Sequence, residues 1–321
     1  MTFTIRALAD DLTGALEVGA KFAAAGIEST VGTHLTWDNR TTASVIDTET
    51  RHMPAAVAAE IVGRLAREAV GARLVYKKTD STLRGNIGAE LAALAAGFPG
   101  SRVAYVPAYP LMGRTVRNGI LLVHGVPVHE TEFARDPLNP VRDSHVPSLA
   151  GECAQVFDAE TDADIARVAD ELLRMHETLL AAGPAALAEA LAARIGGTSV
   201  QSAFPKARRC LVINGSLHPL SARQAAMACD GAWTIVHDGA PGVGERVLRL
   251  VDNVDALIIF GGDTAFEILR VLGCPVLRPI GEIVPGVPLS LTPYGGRDLI
   301  IMTKAGGFGP IDILAQMRNL L

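Results

Sequence analysis

The sequence predicts an α/β protein of two domains, each a mostly parallel sheet flanked by helices, with an interdomain cleft. Short β-rich runs alternate with alanine-rich helical stretches from the first residues onward, which is the βαβ rhythm of a parallel sheet covered on both faces. The rhythm lapses at 111–150, a segment rich in Pro, Gly, His and Arg. It stops again at GGTSVQSAFPKARR (196–209), a turn-rich stretch that reads as a linker. A chain of 321 residues with 49% hydrophobic content has the length and the apolar material for two cores. The expected division is a first domain at 1–200 and a second at 207–321.

In order along the chain, strands are expected where aliphatic and β-branched residues run together, and helices where Ala, Leu, Glu and Arg dominate. FTIRAL (3–8) opens as a strand, and TGALEVGAKFAAAG (13–26) follows as a helix that stops at Gly26. STVGTH (29–34) and ASVIDT (43–48) are strands, and PAAVAAEIVGRLAREAV (54–70) is a long helix. RLVYK (73–77) is a strand, NIGAELAALAAGF (86–98) a helix, and RVAYVPAYP (102–110) the next strand. Helical patterning returns at DADIARVADELLRMHETLL (162–180) and PAALAEALAARIG (184–196). Beyond the linker the strands are CLVIN (210–214), WTIVHD (233–238), ALIIF (256–260), PVLRPI (275–280) and LIIMT (299–303).

A net charge of −5 and a pI near 5.9 argue against general nucleic-acid binding, so any basic site must be local. Cys153, Cys210, Cys229 and Cys274 are scattered without CxxC spacing and read as thiols of a reducing compartment. MTFTIRALADD carries no cationic-then-apolar leader, and no apolar run reaches the length of a membrane span. The expectation is a cytoplasmic protein with small-molecule ligands and neither membrane nor nucleic-acid partner. Assembly into a homo-oligomer is left open.

In α/β sheets ligands bind beyond the carboxyl ends of the strands, where loops meet helix N-termini. The polar clusters of this chain fall there. Asp10 and Asp11 follow the first strand. Thr13 as an N-cap, with Asp11 favouring the helix dipole, accounts for one carboxylate. Two adjacent ones invite a second role, receiving hydroxyl protons or holding a metal. After RLVYK comes KKTDSTLRGNIG (77–88), where Lys77 and Lys78 can point to opposite faces and Asp80 or Ser81 can cap the helix near Asn86. Capping does not account for Arg84, whose planar fork suits a carboxylate or phosphate. Asp80, Ser81 and Thr82 suit sugar hydroxyls, so the turn reads as a site for a hydroxylated carboxylate. PAYPLMGRTVRNG (107–119) adds Arg114 and Arg117 at another strand end, a second hint of an anion site. His124 and His129 show no metal-like clustering and read as structural or surface residues.

Three strand ends of the second half carry glycines: Asn214-Gly215-Ser216, Phe260-Gly261-Gly262-Asp263-Thr264, and Lys304 through Gly309. Bare amides at such turns bind phosphate oxygens, and three in one small domain favour a nucleotide site. The chain has no GxxxxGK[ST] and no GxGxxG, which disfavours a P-loop kinase and an ordinary dinucleotide-binding dehydrogenase.

These stretches resemble the four-carbon acid sugar kinase family. The matching segments are ADDLTGA (9–15), KTDSTLRGNIGAE (78–90), PAYPLMGRTVRNG (107–119), NGSLHPLSARQ (214–224), GGDTAFEIL (261–269) and TKAGGFG (303–309), in the family's order and across nearly the whole chain. The resemblance implies a first domain that binds a sugar acid such as threonate, erythronate or 3-oxo-tetronate. It implies a second domain that binds ATP with Mg²⁺, and phosphorylation of the terminal C4 hydroxyl. It assigns Asp10, Asp11, Asp80, Ser81, Arg84 and Arg114 to the sugar acid, and Ser216, Gly261, Gly262, Asp263, Thr264, Gly306 and Gly307 to ATP. On that basis Arg84 and Arg114 would clamp the substrate carboxylate. Asp11 or Asp80 would take the hydroxyl proton, with Asp11 favoured. The chain departs from the family at Asn214 and His218, which replace hydroxyl residues, and at GGDT in place of GGET. It is also shorter than typical members, with the missing length expected between Ser216 and Gly261. The shortening supports a rival, a non-catalytic sensor of a sugar acid or nucleotide; a third reading, a phosphosugar isomerase or aldolase, predicts no ATP dependence.

Overall fold

The computed structural model describes residues 3–174, 178–196, 203–228, 233–237 and 242–321. The first half runs β1 (Ile5–Ala9), α1 (Leu12–Ala24), β2 (Ser29–Gly32), β3 (Ala43–Asp47), α2 (Ala55–Glu68), β4 (Leu74–Lys78), α3 (Ile87–Ala96) and β5 (Val103–Tyr105). It continues through β6 (Arg114–Arg117), β7 (Ile120–Val123), β8 (Val126–Pro127), α4 (Val146–Ala150), β9 (Ala154–Val156), α5 (Asp162–Leu173), β10 (Leu179–Gly183) and α6 (Ala185–Ile195). The second half holds β11 (Cys210–Asn214), α7 (Pro219–Met227), β12 (Thr234–His237), α8 (Val243–Leu248), β13 (Ala256–Phe260) and α9 (Gly262–Leu272). It closes with β14 (Val276–Val284), β15 (Val287–Tyr294), β16 (Arg297–Lys304) and α10 (Ile313–Arg318).

The fold is α/β, and the sheets of the two halves join into one. Thirteen strands run in the order β12-β11-β13-β16-β15-β14-β2-β3-β1-β4-β10-β5-β9. Pairing is parallel from β12 to β16 and from β2 to β9. The β14–β15–β16 meander between them is antiparallel, and its edge strand β14 docks antiparallel on β2 through Val276 opposite Gly32 and Leu277 opposite Val31. One apolar core serves both halves, from Phe22 and Leu94 to Leu211, Ile259 and Leu277, while a second, including Phe260, Met302 and Leu314, lies in the second half alone.

Several expectations are corrected. The 111–150 segment contains a three-stranded antiparallel sheet, β6-β7-β8, flanked by short helical turns. The helix expected over 162–180 ends at Leu173, and Leu179–Gly183 is instead the strand β10 between β4 and β5. Strand β15 was not foreseen, and the strand expected over 102–110 covers only Val103–Tyr105. Residues 197–202 of the expected linker, Cys229 and Asp238 lie outside the described residues.

Helix α1 decides where the site lies. Asp11, not Thr13, is its N-cap, with Oδ1 accepting the Gly14 N–H at 2.9 Å. The helix packs against α6 on one side and β14 and β15 on the other, so it is buried nearly all round, as expected of a helix enclosed by other elements. Even Lys21 is only 6% exposed, and its ammonium reaches Glu189 of α6 at 3.1 Å and Glu282 of β14 at 3.0 Å. Wedged in this way, α1 presents its first turn where the two halves meet.

Candidate active site between the two halves

The carboxyl ends of β1, β3 and β4 and the glycine turns after β13 and β16 open onto one cleft of about 460 Å³. Its organising residue is Arg51, which follows β3. The guanidinium donates to Asp10 through Nε and Nη2 at 2.8 and 2.9 Å, and to Asp11 Oδ2 through Nη1 at 2.7 Å. Nη1 also lies 3.8 Å from Asp80 Oδ2. Burial would push the Asp10 carboxyl up, but Arg51 and Lys77 outweigh it and hold the group below its ordinary range. Asp10 therefore serves Arg51 and is 1% exposed, whereas Asp11, on the cleft side, keeps 22% of its side chain exposed.

Asp80 does not cap α3, whose N-cap Asn86 makes no side-chain cap bond. It folds its own turn instead: Oδ1 accepts from Thr82 N at 2.8 Å, Thr82 Oγ1 at 2.5 Å and Arg84 Nε at 3.2 Å, and Oδ2 from Arg84 Nη2 at 2.7 Å. Burial opposes ionisation, but Arg84 and Arg51 overcome it and keep the carboxyl well below the usual carboxylate range. Arg84 is shared further with Asp136 at 3.1 Å and stacks over Phe133. Arg114 stacks on the same ring and donates to the Met112 carbonyl. It forms no salt bridge with a carboxylate among the described residues, and its Nε is buried without a partner. Burial lowers its pKa, only partly offset by the field of Asp80. Arg117, by contrast, pairs with Glu160 on the exposed surface, outside the cleft lining.

The two lysines do point apart. Lys77 forms a fully buried pair with Glu90 at 2.9 Å, while Lys78 lines the cleft. A methyl group on Gly14 would fall 2.6 Å from Asp11 Oδ1 and 2.7 Å from Lys78 Nζ, so glycine leaves room for both groups to converge. Glu49 lines the cleft beside them with its backbone at φ +49°, one oxygen accepting the Leu12 N–H at 3.1 Å. Burial, together with the neighbouring Asp11 and Asp263, raises its pKa. Ser81 also lines the cleft.

On the opposite wall, α9 begins at Gly262, preceded by Gly261 at φ +108°, a conformation that favours glycine. A Cβ on Gly262 would sit 2.8 Å from Thr13 Oγ1 and 4.0 Å from Asp11 Oδ2, so the N-termini of α1 and α9 abut. Gly262, Asp263, Gly306 and Gly307 line the cleft. Ser216 Oγ accepts the His218 N–H at 3.1 Å, and Thr264, the third residue of α9, lies beside Gly215 and Gly261; neither Ser216 nor Thr264 lines the cleft. The helix dipole and free amides at this end suit an anion. Among the described residues no three His, Cys, Asp or Glu side chains cluster as a metal site, and no helix is long and apolar enough to cross a membrane.

Arg51, Glu49 and His52 line the cleft although the sequence reading passed over them. The signal was present: Glu49 and Arg51 follow the strand ASVIDT as directly as Asp10 and Asp11 follow the first strand.

Comparison with known proteins shows the family. A sugar-binding N-terminal domain family matches residues 5–155, and a nucleotide-binding C-terminal domain family matches residues 236–314. The chain is 32% identical to a D-threonate kinase of Bordetella bronchiseptica, over 98% of this chain and 96% of that one. It is 25% identical to a 3-oxo-tetronate kinase of Methylobacterium radiotolerans over the whole of both. The crystal structure of a Salmonella typhimurium LT2 protein, 22% identical over 99% of this chain and 100% of that one, has the same fold with a TM-score of 0.80. The first of these alignments runs over 397 positions, against 321 residues in this chain. The chain belongs to the four-carbon acid sugar kinase family and is an ATP-dependent sugar-acid kinase.

Proposed function

We propose that the protein transfers the γ-phosphoryl group of ATP to the C4 hydroxyl of a four-carbon sugar acid, threonate, erythronate or 3-oxo-tetronate. The observation that carries this reading is the abutment of α1 and α9, which sets the Asp11 carboxylate beside the glycine turn at Gly262. Phosphoryl transfer needs positioning, charge neutralisation and a route for one proton. The substrate carboxylate pairs with Arg114, the cleft arginine not already engaged by a protein carboxylate, with Arg84 beside it on Phe133. Asp80, Ser81 and Lys78 face the hydroxylated chain. The far hydroxyl then lies toward Asp11, which accepts its proton as the oxygen attacks phosphorus. Ser216, Thr264 and the amides of Gly262, Asp263, Gly306 and Gly307 receive the phosphates, while the Gly261 N–H is held by the Lys304 carbonyl at 3.0 Å.

Glu49 and Asp263 form no salt bridge with a cationic side chain among the described residues, and they suit a Mg²⁺ ion carried mainly by the nucleotide oxygens. When bound, that ion neutralises phosphate charge. The test is ATP consumption with D-threonate, D-erythronate and 3-oxo-tetronate, with the product's phosphorus located by NMR. No turnover with any of the three, or a phosphate elsewhere than C4, overturns the reading.

Two substitutions separate the ends of the site. Arg114→Met is expected to weaken sugar-acid binding by about 1.5–3 kcal/mol, the range for hydrogen bonds to charged groups, with ATP affinity unchanged in calorimetry. Equal losses for both ligands would instead indicate a folding defect. Gly262→Val places branched carbon against Thr13 and across the helix terminus. ATP affinity should fall at least tenfold, about 1.4 kcal/mol, while sugar-acid binding persists. Unimpaired ATP affinity in the folded variant would remove this turn from the site.

A further inference from the structure

Lys304, the last residue of β16, is fully buried, yet among the described residues it has no carboxylate partner. Its Nζ donates to the carbonyls of Ala305 at 2.8 Å, Gly306 at 3.1 Å and Phe308 at 3.0 Å, and sits 4.5 Å from the centre of the Phe260 ring. Helix α7 grips the same loop by the same kind of atom. Ser221 Oγ donates to the Gly306 carbonyl at 2.5 Å, and Gln224 Nε2 donates to the carbonyls of Phe308, Gly309 and Pro310. These side chains all bind carbonyls. Among the described residues the amides of Gly306 and Gly307 have no acceptor, and both glycines line the cleft.

We propose that Lys304 is a positioning residue for the nucleotide phosphates, its buried ammonium drawing the loop carbonyls inward so that the Gly306 and Gly307 amides are left for phosphate oxygens. The inference rests on the nucleotide reading of this loop. It differs from the P-loop arrangement, in which the lysine reaches the phosphates itself. Here the lysine acts through the backbone and adds a positive charge behind the site, in surroundings that screen it little.

Burial pushes the Lys304 ammonium down to about 8. The ionisable residues on the elements around it are His218 and Arg223 of α7 and its cap, Asp263, Glu267 and Arg270 of α9, Glu17 and Lys21 of α1, and Asp312 and Arg318 at α10. None forms an ion pair with Lys304 among the described residues. The free enzyme therefore loses this charge as pH rises through about 8, and phosphates bound nearby restore it.

The experiment is calorimetry of ATP binding to the wild-type protein at pH 8, in two buffers of different ionisation enthalpy, with the pH dependence of the KM for ATP. At that pH the nucleotide's own phosphates are already ionised. Binding should take up as much as about half a proton, and the KM for ATP should rise above pH 8. In Lys304→Met the KM for ATP should be roughly tenfold higher at pH 7 and lose that pH dependence, with the KM for the sugar acid unchanged. ATP binding without proton uptake in the wild-type protein overturns the inference, and that measurement needs no variant to fold. Failure of ATP to bind at all overturns the nucleotide reading and the inference together.

Discussion

Asp11→Asn is expected to lower kcat by roughly 10²–10⁴-fold while both ligands still bind, because a general base acts mainly in the transition state. The substitution keeps the side chain's size, and Asn caps helices as well as Asp does, so the Gly14 N–H keeps its acceptor and α1 its start. Arg51 retains its two bonds to Asp10. Thermal stability should therefore be nearly unchanged, which distinguishes a lost base from a lost cap. The measurement is kcat beside calorimetric affinities for ATP and the sugar acid. Asp80 is the competing base, but five donors from Thr82 and Arg84 already hold its charge, and a carboxylate so strongly stabilised is a weak proton acceptor. If Asp11→Asn keeps its kcat while Asp80→Asn abolishes turnover, the base is Asp80.

Arg51→Met should give the largest loss of stability in the site. Arg51 is 11% exposed and holds Asp10 and Asp11 directly, with Asp80 nearby. Without it Asp10 is a buried carboxylate stripped of its bidentate partner, and breaking such a pair costs about 3–5 kcal/mol. Tm should fall by on the order of 10 °C. The pH dependence gives the sign. Asp10 and Asp80 have folded pKa values below their unfolded ones, so the stability they contribute is present above about pH 4 and is lost as pH falls through the folded values. The gap between wild type and variant should be widest near neutrality and narrow below about pH 4. A gap independent of pH would mean that Arg51 acts by packing alone.

Much of the site is legible in the sequence, because in an α/β sheet a strand's carboxyl end is a place where ligands bind. The Asp10–Asp11 pair, the turn from Asp80 to Arg84, Arg114 and the glycine turns could be marked as candidates without coordinates. Arg51 obeys the same rule and was overlooked only because ASVIDT ends in unremarkable polar residues.

What the sequence by itself determined is the α/β class, the order of most elements and the residue types available to the chemistry, since periodicity and strand-end position are local properties. What only the tertiary structure decided is which of those residues are free to act. Arg84 and Arg114 look equivalent as isolated arginines, but folding gives Arg84 to Asp80 and Asp136 and leaves Arg114 without a carboxylate partner among the described residues. Leu179–Gly183, alanine-rich and without a β-branched residue, has no local reason to be extended. It becomes a strand because β4 and β5 supply its hydrogen bonds and leave room for small side chains. The joining of the two sheets through β2 and β14, which wedges α1 against the second half and brings Asp11 beside Gly262, depends on pairing between residues more than two hundred positions apart. Local pattern cannot encode a contact of that range; burial of a shared core selects it.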